Sequence, residues 1–135
     1  MNPNYKHTEI TAIIIQCFYN VYNKLGYGFL EKVYENAMLI ELKKQGLEAE
    51  SQKQLKVFYD DLEVGNYFAD LIVEDCVIVE LKAAESIVEE HEAQLVNYLR
   101  ATNIEVGLLL NFGKKAEFKR KAFSNKYKNQ KNNLN

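Results

Sequence analysis

The chain has 135 residues, of which 47% are hydrophobic and 27% charged, with a formal net charge of −2. This length and composition fit a single globular domain with its own hydrophobic core. The widely separated Cys17 and Cys76 argue against a disulfide framework, and the apolar run Ile13–Ile15 is too short to cross a membrane. We therefore expect a cytoplasmic protein, without a signal peptide or membrane contacts.

Two helices are predicted at the start of the chain. Apolar residues recur at helical spacing from Glu9 to Gly26, and Gly26 suits a C-terminal cap. A second helix is predicted from about Phe29 to Gln45, directly before Gly46. We assign its buried stripe to four apolar residues, Leu30, Val33, Ala37 and Ile40.

Three strands and a third helix are predicted next. Gln54–Tyr59 alternates like a strand, and two further strands read GNYFADLIV and CVIVELKA. The third helix is predicted to open with a capping box formed by Ser86 and Glu89, and to end near Ala101.

Two strands close the predicted domain. The nearly continuous apolar run Glu105–Phe112 indicates a strand that is buried on both faces. Glu117–Lys121 is predicted to add a short edge strand. The element order α-α-β-β-β-α-β, with one more strand, predicts a single α/β domain over residues 1–123, followed by a disordered basic tail over 124–135.

The charged residues are distributed unevenly. Eight of the 17 lysines and arginines lie between Lys114 and Asn135, where Glu117 is the one acidic residue. A basic segment beside an acidic body is suited to contacting nucleic-acid phosphates. A solvated, frayed tail is the alternative interpretation.

Three charged residues interrupt the apolar strands of the predicted hairpin. Glu80 and Lys82 are two residues apart and so share one face, while Asp70 lies on the preceding strand. If the three residues Glu74–Cys76 connect the strands, Asp70 stands opposite Glu80 on the same face. A two-residue turn would instead pair Asp70 with Val79 and would separate the two carboxylates.

In the three-residue register, two carboxylates and a lysine converge on one side of the sheet. Such oxygen ligands suit Mg²⁺ or Mn²⁺, and these ions lower the pKa of a bound water and stabilise charge on a phosphoryl oxygen. Lys82 would position the attacking water or stabilise the transition state. The alternative is a simple ion pair between Asp70 and Lys82 at the end of the sheet.

Two pairs of helical residues extend this hypothesis. Glu31 and Tyr34 are three residues apart, and Gln94 and Tyr98 are four apart, so each pair shares a helical face. Glutamate can bind a metal ion or its waters, and glutamine and tyrosine can hold a phosphate. Taken singly, each pair also fits an ordinary polar rim.

The sequence resembles the GxxExxY protein family, named for the motif that stands here as Gly28, Glu31 and Tyr34. The resemblance extends over roughly Thr8–Lys121 and includes ADLIVED, CVIVELKA and HEAQLVNYLRAT. That family is placed in the PD-(D/E)XK nuclease superfamily. The resemblance therefore implies a restriction-endonuclease-like core, with a central mixed sheet of four to five strands flanked by helices.

The resemblance also implies roles for individual residues. Asp70 and Glu80 would bind the metal ion together with the main-chain carbonyl of Leu81, Lys82 would be the catalytic lysine, and Glu31 would be an additional catalytic acid that also reaches the metal. Tyr34 would support the site, and Gln94 and Tyr98 resemble the QxxxY element of exonuclease-like members. The proline of the superfamily's name is absent, since Ala69 precedes Asp70.

Two functions remain open at this point. The first is a nuclease that uses Mg²⁺ or Mn²⁺ to hydrolyse DNA, in preference to RNA, in repair or defence, and that acts as a homodimer. Five cations would contact the phosphates: Lys114, Lys115, Lys119, Arg120 and Lys121. The alternative is a catalytically silent, nuclease-derived binding or assembly module, which the acidic run Glu85–Glu92 favours because it would repel phosphate.

Overall fold

A computed structural model describes residues 6–128 of the chain. It contains three helices: α1 (Thr8–Leu25), α2 (Glu31–Lys44) and α3 (Glu89–Ala101). It contains five strands: β1 (Ala49–Tyr59), β2 (Leu62–Val73), β3 (Val77–Lys82), β4 (Val106–Phe112) and β5 (Ala116–Ala122). The predicted element order, including the extra edge strand, is confirmed. Within this part of the chain, no helix combines the length and apolar character needed to cross a membrane.

The five strands form one sheet in the order β1-β2-β3-β4-β5. The neighbours β3 and β4 run parallel, and the other neighbouring pairs are antiparallel, so the sheet is mixed. The crossover between the parallel strands is made by α3. Every residue of β4 is buried, as predicted for a strand that is covered on both faces.

The strands separate two hydrophobic cores by alternation. Leu71, Val79 and Leu81 pack with the residues of α1 and α2 on one face of the sheet. Ile78 packs with the residues of α3 on the other face. Because side chains two apart on a strand share a face, Glu80 and Lys82 follow Ile78 towards the α3 side.

The predicted buried stripe of the second helix is wrong in phase. Leu30 is 80% exposed and Ile40 is 60% exposed, whereas the helix buries Tyr34, Glu35, Met38 and Leu42. The Tyr34 ring stacks on Phe112 with centroids 4.1 Å apart, and its hydroxyl donates to the Gly26 carbonyl at 2.7 Å. These contacts orient the helix and turn Glu35 inward.

The predicted capping box of the third helix is also wrong. The helix begins at Glu89, and Val88 occupies the capping position in place of Ser86. The main-chain N–H of Val88 donates to Nδ1 of His91 at 3.2 Å. His91 therefore satisfies a main-chain donor at the helix start, as a capping-box glutamate does in other helices.

The chain keeps regular contacts beyond Ser124, where the sequence predicts little order. Asn125–Tyr127 forms a 3₁₀ turn. The Lys128 ammonium then donates to the carbonyls of Thr102 and Ile104, at 2.7 and 2.9 Å. The rest of the predicted tail, residues 129–135, lies outside the described residues.

A buried asparagine fixes the chain just after Lys82. The Asn111 side chain accepts from the Ala84 N–H at 2.9 Å and donates to the Ala84 carbonyl at 3.0 Å. We expect Asn111→Ala to lower the free energy of unfolding by about 2–4 kcal/mol, because it leaves the part-buried N–H and carbonyl of Ala84 without their partner. Urea denaturation measures this, with the exposed Asn36→Ala as the control. Equal midpoints for the two variants would contradict the prediction.

Candidate active site

The hairpin between β2 and β3 brings Asp70 and Glu80 together. Val73 pairs with Val77, and Leu71 pairs with Val79, so the predicted three-residue connection is confirmed. The turn is made by Glu74 and Asp75, which both have positive φ angles. Continuing this register by one residue places Asp70 opposite Glu80.

Side chains take over from the main-chain ladder at this end of the hairpin. The main-chain pairing of β2 with β3 stops at Leu71 and Val79. The Asp70 N–H then donates to Oε2 of Glu80 at 2.9 Å, and the Leu81 N–H donates to Oδ2 of Asp70 at 2.8 Å. Each carboxylate thus accepts from the opposite strand, and this reciprocal arrangement, which we call the carboxylate clasp, holds both acids in place.

Burial makes the clasp electrostatically unfavourable in its fully ionised form. Burial and then the Asp70 charge raise the pKa of Glu80 to about 8. Burial also raises the pKa of Asp70, against the Leu81 N–H bond that lowers it. A bound cation would relieve this excess of negative charge, which is the electrostatic property expected of a metal site.

The second helix contributes Glu35 to the same region. Its charge raises the pKa of both Asp70 and Glu80, so Glu35 lies within electrostatic reach of the clasp. Its carboxylate accepts from the Lys32 ammonium and from the Gln52 amide, each at 2.7 Å. Sequence reasoning missed Glu35, although it lies three residues before Met38 and seven before Leu42, the spacing of a buried helical position.

The predicted helix acid, Glu31, lies one turn earlier. The structure places it exposed in the first turn of α2, without a hydrogen bond or ion pair to another described residue. Glu35 rather than Glu31 therefore faces the clasp.

Gln52 has a strained main chain beside the clasp. Its φ angle is 53°, in the left-handed region that non-glycine residues rarely adopt. The β1–β2 ladder skips this residue, since Ser51 pairs with Leu71 and Lys53 pairs with Ala69. Besides contacting Glu35, the Gln52 side chain lowers the pKa of the Asp70 carboxyl. Strain of this kind concentrates at functional sites.

Lys82 lies half-buried at the end of β3. Its charge lowers the pKa of both Asp70 and Glu80, so the ammonium is near the clasp. Over residues 6–128, however, the ion pairs do not include one between Lys82 and Asp70. The simple ion pair considered as the alternative is not what the structure contains.

The other supporting residues divide into two groups. Tyr98 is buried beside the clasp, since burial and then the Glu80 charge raise its pKa to about 12, with a smaller contribution from Asp70. Gln94, one turn earlier, lines with Tyr98 a cavity of about 1050 Å³. Tyr34 instead lies in the core against Phe112 and contacts neither carboxylate.

Two of the five predicted phosphate-binding cations contact other residues of the domain, and three are exposed. Arg120 donates to the Thr11 hydroxyl and to the Lys6 carbonyl. Lys121 forms an ion pair with Glu92 at 2.6 Å. The side chains of Lys114, Lys115 and Lys119 are exposed.

The fold and this constellation define a nuclease-like α/β domain, with two cross-strand carboxylates and a lysine at one end of a mixed sheet. A family model of the PD-(D/E)XK nuclease superfamily matches residues 8–121, and the chain belongs to that superfamily.

A solved structure supports the fold independently. The crystal structure of SSO0001 superposes with a TM-score of 0.53 at 18% sequence identity. The match covers 69% of this chain and 50% of that one, so the chain spans about half the length of SSO0001. No protein with a curated description matches the sequence.

Nucleases of this superfamily generally use divalent metal ions. Within residues 6–128, no group of three or more His, Cys, Asp or Glu side chains is placed to hold an ion. Mg²⁺ and Mn²⁺ need only one or two carboxylates, because waters complete their coordination. Asp70, Glu80 and the Leu81 carbonyl therefore fit such an ion by their donor chemistry and by their uncompensated charge.

Proposed function

We propose that this domain is a metal-dependent nuclease that hydrolyses phosphodiester bonds in DNA. The observation that carries the proposal is the carboxylate clasp: the buried Glu80 and the half-buried Asp70 are held opposite each other beside a lysine, in a domain of the PD-(D/E)XK nuclease superfamily. Catalysis here requires positioning and charge stabilisation more than covalent chemistry.

In this proposal each residue has a distinct role. Asp70, Glu80 and the Leu81 carbonyl hold Mg²⁺ or Mn²⁺, which when bound supplies a water of lowered pKa and stabilises charge on the phosphoryl oxygens. Lys82 stabilises the negative charge that develops on the phosphate. The clasp hydrogen bonds keep the carboxylates oriented before the substrate arrives.

The substrate and the assembly belong to the same proposal. The exposed Lys114, Lys115 and Lys119 contact phosphates without reading bases. The enzyme acts in the cytoplasm, and a homodimer presents two such sites to one DNA molecule. Repair of DNA or defence against foreign DNA is the corresponding biological role.

The helix acid is the part of the proposal for which the chain offers two candidates. By position, Glu35 is favoured, because it is buried and its charge reaches Asp70 and Glu80. The family resemblance names Glu31. In either case, the acid would hold a metal-bound water or the metal itself.

One cleavage assay tests the proposal and the choice of helix acid. We expect wild-type protein to cut labelled DNA in Mg²⁺ or Mn²⁺ and not in EDTA. Glu35→Gln should lower the cleavage rate by about 10-fold or more and weaken Mn²⁺ binding measured by calorimetry, since it removes a charge beside the metal ligands. A larger loss in Glu31→Gln would assign the role to that residue instead.

The silent binding module remains the second candidate. It is favoured by one observation, the absence within the described residues of three grouped side chains that could hold an ion. Wild-type protein that cuts neither DNA nor RNA and takes up no Mn²⁺ would favour the module over the nuclease.

A further inference from the structure

A cavity of about 1050 Å³ lies between α3 and the outer part of the β1–β2 hairpin, residues 54–67, which we call the β-ribbon. The ribbon exists because β2 pairs with β3 only over Leu71–Val73, whereas it pairs with β1 along almost its whole length. The β-ribbon therefore extends beyond β3 and faces the third helix. The volume lies at the upper end of the range for small-molecule sites, about 300–1000 Å³, so it has room for a nucleotide.

The cavity wall offers aromatic faces. Tyr67 of the ribbon and Tyr98 of α3 have ring centroids 5.4 Å apart in a tilted arrangement. Tyr67 is 45% exposed, and Phe58, which also lines the cavity, is 50% exposed. Rings that are held in place by the fold yet accessible can stack on a flat heterocycle, because every nucleobase has a π-face.

The wall also offers polar groups without partners. Within residues 6–128, the side-chain amides of Gln94 and Asn97 and the Tyr98 hydroxyl take part in no hydrogen bond. An amide carries both a donor and an acceptor, which match the edge groups of a nucleobase. The combination of ring faces and amide edges is therefore suited to an unpaired base.

The charge of the wall argues against a phosphate as the group that the cavity binds. Two cationic residues, Arg100 and Lys128, are balanced by two acidic residues, Asp61 and Glu90. The Lys128 ammonium is moreover bound to the Thr102 and Ile104 carbonyls. The cavity wall thus has little excess positive charge with which to attract a phosphate.

The cavity adjoins the carboxylate clasp. Tyr98 belongs to the cavity wall and packs in the same core cluster as Ile78, and Glu80 follows Ile78 by two residues on the same face of β3. A strand whose base lies in the cavity therefore has its backbone near the proposed reaction site. A base that is paired in a duplex would first have to leave the stack to enter.

From these observations we infer that the cavity binds an unpaired nucleobase beside the phosphate to be cut, so that the preferred substrate is single-stranded nucleic acid. The relation to the cleaved phosphate rests on the proposed nuclease function. The binding of a base in the cavity does not depend on catalysis.

Fluorescence anisotropy in EDTA tests the binding component without cleavage. The probes are a labelled short DNA strand, the same strand with abasic sites, a blunt duplex of equal length, and the corresponding RNA strand. We expect the intact single strand to bind about 10-fold or more tightly than the abasic strand or the duplex. The RNA strand shows whether the sugar affects binding, since both strands present unpaired bases.

Two matched variants test the cavity itself. Tyr67→Leu should weaken single-strand binding about 10-fold, as expected for the loss of one base–aromatic stack. Tyr59→Leu changes the same residue type on the same ribbon, but Tyr59 is 70% exposed and lies outside the cavity wall, so affinity should be unchanged. Circular dichroism melting of both variants verifies that they fold.

The outcomes separate this inference from the proposed function. Equal affinity for intact and abasic strands, or equal effects of the two tyrosine variants, would overturn the cavity assignment even if the protein cuts DNA. Base-dependent binding that is lost in Tyr67→Leu would support the assignment even if no cleavage is seen.

Discussion

Asp70→Asn is expected to abolish metal-dependent cleavage, with a rate about 10²–10³-fold or more below that of the wild-type protein. Asparagine retains an oxygen that can accept from the Leu81 N–H, so the hairpin contact survives. The charge that would hold the metal ion is lost.

Lys82→Ala should cause a loss of similar size, because no other ammonium lowers the pKa of both carboxyls among the described residues.

A matched control lies in the same hairpin. Asp75 is exposed in the turn with a positive φ angle, which asparagine tolerates, so Asp75→Asn makes the same chemical change away from the clasp. Single-turnover cleavage with Mn²⁺ and urea denaturation should be measured on all variants. Full activity in Asp70→Asn, with an unchanged fold, would refute the catalytic assignment.

Glu80→Gln is expected to stabilise the protein while removing its activity. The pKa of Glu80 is about 8 in the folded protein against an ordinary value of 4.5. Between these values the folded state keeps a proton that the unfolded state has released, so stability falls as the pH rises. The slope approaches about 1.4 kcal/mol per pH unit, and the raised pKa of Asp70 acts in the same direction.

Glutamine removes the Glu80 contribution to this dependence. Its side-chain oxygen can still accept from the Asp70 N–H, so the gain should reach about 2–4 kcal/mol at pH 8 and nearly vanish at pH 4.5. Urea denaturation across pH 4.5–9 in EDTA measures the difference between the two proteins. Parallel stability curves would contradict the electrostatic description of the clasp.

The sequence narrowed the hairpin register to two alternatives, a three-residue connection and a two-residue turn, because register depends on short-range constraints. Counting the residues between two apolar runs decides whether Asp70 faces Glu80, and the observed pairing follows that count. The two-sided burial of β4 was equally visible in its continuous apolar run. The pairing of the two carboxylates was therefore one of two outcomes that the sequence allowed, and the structure contains it.

The orientation of α2 was not predictable in the same way. Apolar residues surround this helix, since Leu30 and Ile40 lie outside while Met38 and Leu42 lie inside. Hydrophobicity alone then leaves the phase undecided, and the phase depends on the distant stacking of Tyr34 on Phe112. The position of Glu35 depends on this same contact.

The strained Gln52 had no sequence signal at all. Its side chain contacts Glu35 across the fold, and its main chain departs from the β1–β2 ladder at that point. Nothing in the local sequence indicates a left-handed residue there, because glycine or asparagine would normally mark it. The left-handed conformation of Gln52 is seen only in the folded protein, where its side chain contacts Glu35.

The clasp gives the side chains at positions 70 and 80 a structural role that is independent of catalysis, because each accepts a main-chain N–H of the opposite strand. A descendant that had stopped cutting nucleic acid would still need an accepting oxygen at both positions, but asparagine and glutamine supply one without a buried charge, so selection for folding alone would not retain the acids. Lys82 has no such structural role, since its ammonium forms no hydrogen bond or ion pair with another described residue. In related sequences, both acids together with the lysine therefore mark an active catalyst, whereas amides at these two positions mark a domain that keeps only the hairpin contacts.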